Sequence, residues 1–165
     1  EVFVTSSIPE NGVVVTSYTV MPEWLDYNNH MNVAYYVGTF DLGIDALKAI
    51  YGIDADYIKL KQRSTVALEA HITYQNEASL GEKLSVHSRV LDFDAKRTHL
   101  YQEMHRGGDL LATQETLSIS FDLEKRKSCP FEDSIARQIT ILQAAQLSLP
   151  RPSWIGAKVG IRRTA

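Results

Sequence analysis

The stretch Leu25-Asp26-Tyr27-Asn28-Asn29-His30-Met31-Asn32-Val33-Ala34-Tyr35-Tyr36 joins a cluster of turn-forming polar residues to the start of a helix-periodic run. Asp and Asn favour turns because their short side chains hydrogen-bond nearby backbone, and Asn tolerates positive φ. Asp26 to Asn29 therefore reads as a tight, irregular segment. Asn32 stands at the N-cap position, one residue ahead of Val33, Val37, Phe40, Ile44, Leu47 and Tyr51. Steps of three and four residues along that series predict a helix with one buried face, and place Asp41, Asp45 and Lys48 toward solvent or a partner. The free N–H groups of the first turn, around Met31, Asn32, Val33 and Ala34, point back into the Asp/Asn/His segment with the positive end of the helix dipole. An oxyanion formed from a carbonyl is one anion such a terminus stabilises. Local chemistry leaves two readings open: a turn that caps a core helix with His30 packed against it, or a catalytic segment.

Strands surround this helix. Val13 to Met21 is β-branched and alternating, and Pro22 ends it. Gly52 is available to stop the helix after Tyr51, and Asp54 to Arg63 reads as a polar connection holding Lys59, Lys61 and Arg63. From Ser64 the period is two. Thr65 to Gln75, Lys83 to Phe93, Arg97 to Arg106 and Leu110 to Leu123 are expected as successive hairpin-linked strands, with Gly107-Gly108 as a two-residue turn. Gly38 and Gly43, each costing a helix about 1 kcal/mol relative to Ala, point to close approach of a sheet. The expected class is α+β: an antiparallel sheet of about five strands with a long helix on one face. Residues 1–12 form a loosely held arm and 13–131 the domain. Residues 132–165 form a helix, Glu132 to Gln146, and a basic tail with Arg151, Lys158, Arg162 and Arg163. That helix starts from Ser128 or Asp133, buries Ile135, Ile139 and Leu142, and ends before Pro150; the tail wraps over a partner subunit or stays mobile. On the strand before Gln75, alternation sets Leu68, Ala70, Ile72 and Tyr74 against Glu69, His71 and Thr73. The second row is either a solvated face or one that meets a second subunit, where Glu69 or His71 orients Asp26, Asn28 or a water.

With 165 residues, 44% of them hydrophobic and 22% charged, the chain is long enough for one well-buried domain. A net charge of -3 argues against nonspecific nucleic-acid binding. Cys129 stands alone, so no intrachain disulfide forms, and the histidines lack zinc-ligand spacing. Neither a membrane span nor a signal peptide is read, and a cytoplasmic protein is expected. No G-x-S-x-G elbow or Gly-rich phosphate loop competes for the chemistry.

The string from Trp24 to Asn32, WLDYNNHMN, with Tyr35 or Tyr36 behind it, resembles the D-x-x-G-H-V-N-N-x-x-Y segment of hotdog-fold acyl thioesterases of the 4-hydroxybenzoyl-CoA thioesterase type. It is also similar to the D-x-N-x-H-V-N-N pattern of plant acyl-carrier-protein thioesterases. With Val66 to Tyr74, VALEAHITY, it looks closer still to the thioesterases of bacterial carnitine and betaine degradation. The likeness runs from about Val13 to Phe131, with two departures: Asn29 replaces the family glycine and Val33 the second Asn. The resemblance implies a hotdog fold whose sheet wraps the helix, and hydrolysis of an acyl-CoA thioester with no cofactor beyond coenzyme A as part of the substrate. Asp26 attacks the carbonyl or takes a proton from water. Asn28 and His30 hold the water or polarise the thioester, and the amides of Met31, Asn32 and Val33 form the oxyanion hole. A homodimer or dimer of dimers is implied, with the active site between subunits. Tyr27, Tyr35, Tyr36 and Phe40 would line a pocket for a short polar, betaine-like or aromatic acyl group, and aromatic faces attract a quaternary ammonium. Lys96 and Arg97, the Lys59/Lys61/Arg63 group, and Lys125-Arg126-Lys127 are the candidates for the CoA phosphates. Two alternatives remain. In a hotdog hydratase or dehydratase, His30 would be expected three residues after Asn28 rather than two. The other is an acyl-CoA binder without turnover.

Overall fold

Asn32 caps the central helix as its position requires: its Oδ1 accepts the Ala34 N–H at 3.0 Å, and the helix α1 runs Val33–Ile50. The computed structural model describes residues 7–161. Around α1 lie β1 (Val14–Thr19), a 3-10 turn (Pro22–Trp24), α2 (Ala55–Lys61), β2 (Arg63–Tyr74), β3 (Lys83–Phe93), β4 (Arg97–Arg106), β5 (Asp109–Asp122), β6 (Lys127–Ser128) and α3 (Asp133–Ala145). The strands form one antiparallel sheet in the order β1-β3-β4-β5-β2, with β6 added to the end of β5. This is the hotdog arrangement, and α1 packs on β1, β3 and β4.

Several sequence expectations change. Only β3, β4 and β5 are consecutive hairpins. β2 lies at the far edge and pairs with β5, and the connection from Gln75 to Glu82 carries the chain back across to β3 beside β1. The supposed polar connection is the helix α2, capped by Asp54 Oδ1 on Tyr57 N–H at 2.8 Å and ended by Gln62 at φ 50. A β-bulge between Ala67 and Glu69 interrupts the alternation of β2 at Leu68, and the two-residue period holds from Glu69 onward. Ser128 lies in β6, so α3 starts at Asp133; Ile135, Ile139 and Leu142 are its buried residues, as expected. Of the N-terminal arm, residues 1–6 lie outside the described residues. The Pro9–Gly12 turn is packed rather than loose, since a Cβ on Gly12 would lie 2.5 Å from the Leu142 carbonyl.

Within α1 the buried face is Tyr36, Thr39, Phe40, Gly43, Ile44 and Leu47, while Val33 and Val37 are 59% and 44% exposed. Lys48, expected at the surface, is buried with its ammonium 3.0 Å from Asp45. Helix and sheet are joined by a buried amide: Gln102 Nε2 donates to the Phe40 carbonyl at 2.8 Å and to Ser88 Oγ at 2.9 Å. Its Oε1 accepts from Gln114 Nε2 at 3.1 Å. Gly43 is what lets these atoms approach, for a Cβ there would lie 2.7 Å from Gln102 Nε2 and 2.9 Å from Val86. Gly38 faces open space, so sheet contact does not explain it. The two glycines therefore separate in a melting experiment. Gly38→Ala should stabilise the protomer by about 1 kcal/mol through helix propensity, while Gly43→Ala should lower the melting temperature, its overpacking of about 1–3 kcal/mol exceeding that gain.

Along its described length the tail packs on its own sheet. It crosses to the outer face of the sheet, away from α1, where Arg89 Nη2 donates to the Pro150 carbonyl at 2.8 Å and Glu115 accepts from Gly156 N–H at 2.9 Å. Arg162 and Arg163 lie outside the described residues.

Candidate active site

Asp26 opens a loop that closes on itself: its N–H donates to the His30 carbonyl at 2.9 Å, and its carbonyl accepts from Asn29 at 3.0 Å. Asn29, where the resembling family has glycine, takes φ 62, the left-handed conformation that Asn tolerates. Asp26 Oδ1 accepts the N–H of Asn28 at 2.8 Å and lies 3.4 Å from that of His30. The other carboxylate oxygen has no protein partner among the described residues. A half-buried carboxylate is thus fixed by one oxygen and open at the other.

The expected oxyanion hole narrows. Met31 N–H donates to the Ala78 carbonyl at 2.8 Å, Asn32 N–H to the Trp24 carbonyl at 2.8 Å, and Ala34 N–H to the Asn32 side chain. Those bonds tie the segment to the chain before it and to the connection before β3, and they remove Met31 and Asn32 as donors. Val33 N–H keeps no acceptor among the described residues, so it is the amide left to receive an anion at the positive end of α1.

The aromatic residues divide. Tyr35 is half-buried and stacks on Trp24 with centroids 5.3 Å apart. Tyr36 is buried, meets Tyr74 edge-on at 5.4 Å, and its hydroxyl lies 3.4 Å from the Asn76 carbonyl. Phe40 belongs wholly to the core, and Tyr27 is 94% exposed, so neither lines a pocket within one protomer.

A part of the site that sequence reading missed comes from the β2–β3 connection. His30 Nε2 lies 3.3 Å from Glu77 Oε1, and His30 forms an isolated bridge with Ser79. The available signal was a polar turn, Gln75-Asn76-Glu77, followed by a second glutamate at Glu82; nothing in it marks contact with His30. Glu82 accepts the Ser79 N–H at 2.9 Å and pairs with Arg106 at 3.0 Å. Those bonds, the Ser79 N–H first, hold its carboxyl below the usual carboxylate value of 4.5. A carboxyl lowered on folding contributes stability that is present above the unfolded value and lost as pH falls through the folded one. Thermal melts should therefore show stability declining below about pH 4.5, and Glu82→Gln should make that decline shallower.

Glu69 and His71 are not brought to Asp26 within the protomer. They point outward, opposite the face on which Gln102 and Gln114 meet α1, and line a cavity of about 630 Å³ with His99, Glu115, Arg97 and the tail from Gly156 to Val159. Arg97 is bound by Asp94 through Nε at 2.8 Å, and Arg63 lies 3.9 Å from Glu132. Of the phosphate candidates, Arg97 and Arg63 thus each stand against a carboxylate. Among the described residues no group of three His, Cys, Asp or Glu is arranged to hold a metal ion, and no helix is long and apolar enough to cross a membrane.

Residues 20–139, which include the Asp26 segment, α1 and strands β2 to β6, match the model of the thioesterase-like superfamily. The chain belongs to that superfamily. Its enzyme class is accordingly thioester hydrolase. The betainyl-CoA thioesterase of Pseudomonas aeruginosa is 32% identical to this thioesterase-like chain, over 90% of it and 96% of the relative. An L-carnitine dehydrogenase/betainyl-CoA thioesterase of Ruegeria pomeroyi is 34% identical over 93% of the chain, which spans 31% of that longer protein. A Staphylococcus aureus protein solved in complex with CoA superimposes with a TM-score of 0.86 at 28% identity, over 91% of this chain and 96% of that one.

Proposed function

We propose that this thioesterase hydrolyses an acyl-CoA thioester at Asp26, with betainyl-CoA as the preferred ester. The observation that carries the reading is a carboxylate with one oxygen open, followed at the start of α1 by a Val33 N–H, neither having a partner among the described residues. Asp26 either attacks the thioester carbon or takes a proton from the water that does. In both cases the carbonyl oxygen becomes an oxyanion, which Val33 N–H and the helix dipole stabilise. The intermediate collapses with loss of the CoA thiolate: on the water route the thiolate takes up the proton that Asp26 removed and the free acid is released, and on the direct route a mixed anhydride with Asp26 is left, which a water then cleaves to free the acid and restore the carboxylate. His30, held by Glu77, and Asn28 flank the carboxylate and position the water or the thioester. The named relatives support the acyl group, and the fold they share supports CoA as the carrier.

The working unit is proposed to be a homodimer. β2 is a free sheet edge of 12 residues, its inward residues Ala67 and Ala70 are exposed, and Val33, Val37 and Leu42 lie exposed on α1. Long open edges are normally paired or covered. A second subunit on β2 would also bring Glu69 and His71 to the boundary between sites. Light scattering on the purified protein tests this directly.

Free-thiol release from short, long, aromatic and betainyl-CoA esters tests the activity. Release ranked with betainyl-CoA first is the expected outcome. Tight binding with no release from any ester would leave an acyl-CoA binder instead, and hydration of an enoyl-CoA would favour the lyase.

A further inference from the structure

We propose that Glu77 is the counter-ion for a cationic acyl group, and that with the Tyr74 ring it makes this site select an acyl chain whose quaternary ammonium lies next to the thioester carbonyl. The inference rests on the reading of Asp26 as the centre of thioester hydrolysis and adds the residues that choose the substrate.

Charge at this corner of the fold is one-sided. Glu82 is paired with Arg106, which also reaches Asp109, so that guanidinium is already shared by two other carboxylates. Glu77 meets Arg106 through its backbone carbonyl, at 3.3 Å, and not through its carboxylate. The carboxylate is 68% exposed and meets His30 by one oxygen, and the other has no partner among the described residues. His30 is also the residue whose N–H lies 3.4 Å from Asp26 Oδ1, so Glu77 is one side chain removed from the reacting carboxylate. A quaternary ammonium on the carbon next to the carbonyl sits within a few bonds of the scissile centre, and only a group that close can act on it.

The aromatic wall belongs to the same corner. Tyr36 is anchored by its hydroxyl to the carbonyl of Asn76, the residue before Glu77, and Tyr74 packs edge-on against it while remaining half-exposed. A half-exposed aromatic ring three residues before an exposed carboxylate, the two joined through Tyr36 and Asn76, suits a methylated cation, which is large, weakly hydrated and unable to donate a strong hydrogen bond. A neutral acyl chain of the same shape gains the contact area alone.

The test compares betainyl-CoA with 3,3-dimethylbutyryl-CoA, in which carbon replaces the ammonium nitrogen. Wild type should show kcat/KM about tenfold or more higher for the betainyl ester. Glu77→Gln should reduce that preference about tenfold, and Tyr74→Leu should reduce it further. A loss in Glu77→Gln that falls equally on both esters would make Glu77 a positioning residue for His30 and overturn the proposal, as would equal turnover of both esters by wild type. If neither ester is hydrolysed the hydrolase reading fails, and the cation site is then read from equilibrium binding of the same two esters. Tighter binding of the betainyl ester that Glu77→Gln abolishes supports it; equal binding overturns it.

Discussion

Asp26→Asn is expected to lower kcat for CoA release by about a thousandfold while leaving the fold and the Michaelis constant nearly unchanged. The reasoning is atomic. Oδ1 accepts from Asn28 and lies near the N–H of His30, and the amide oxygen of Asn can take both contacts over. The loop closed by Asp26 N–H on the His30 carbonyl involves only backbone. What the substitution removes is the charge and basicity of the oxygen that faces the open side, so the loss falls on the chemical step. Unchanged turnover would mean that Asp26 serves only as a turn residue, as its Asx-type bonding alone would allow. A fall in melting temperature matching the fall in rate would move the explanation from chemistry to stability.

Gln102→Leu is expected to cost about 3 kcal/mol of stability, combining stranded polar groups and altered packing. Gln102 is fully buried and joins the Phe40 carbonyl, Ser88 Oγ and Gln114 Nε2. Leucine nearly fills the space but leaves the Ser88 hydroxyl and the Gln114 amide without that partner in a buried layer between α1 and the sheet. For a domain of this size the melting temperature should fall by roughly 10 °C. Replacing Gln114 by Leu as well should recover part of the loss, because removing both members of a buried polar pair is cheaper than removing one. Additive losses in the double variant would show that the two amides act independently.

These residues also mark how far the sequence could be read. Asn32 and the spacing of Phe40, Ile44 and Leu47 announce the helix and its start, because capping and periodicity are local. Val33 and Val37 fit the same spacing yet stay exposed, while Tyr36 and Gly43 carry the contact, because the sheet decides which side of the helix is covered. Gln102 reads as an ordinary polar residue on a strand, since no local rule says that a glutamine will face a helix. The far-edge position of β2 and the bulge at Leu68 depend on pairing with β5, more than forty residues away. At the site, Asp26, Asn28 and His30 are neighbours in the chain and were legible together. Glu77 was not, because it reaches His30 only through the crossing from β2 back to β3. Met31 and Asn32 were legible as amides near a helix start, but their bonds to Ala78 and Trp24 belong to the tertiary structure.

The most direct measurement is a crystal structure of the Asp26→Asn variant with uncleaved betainyl-CoA bound. The thioester carbon is expected beside the open side of residue 26, with its carbonyl oxygen within about 3 Å of Val33 N, a normal hydrogen-bond distance. A thioester lodged instead in the outer cavity among Glu69, His71 and His99, with Val33 N–H untouched, would contradict it.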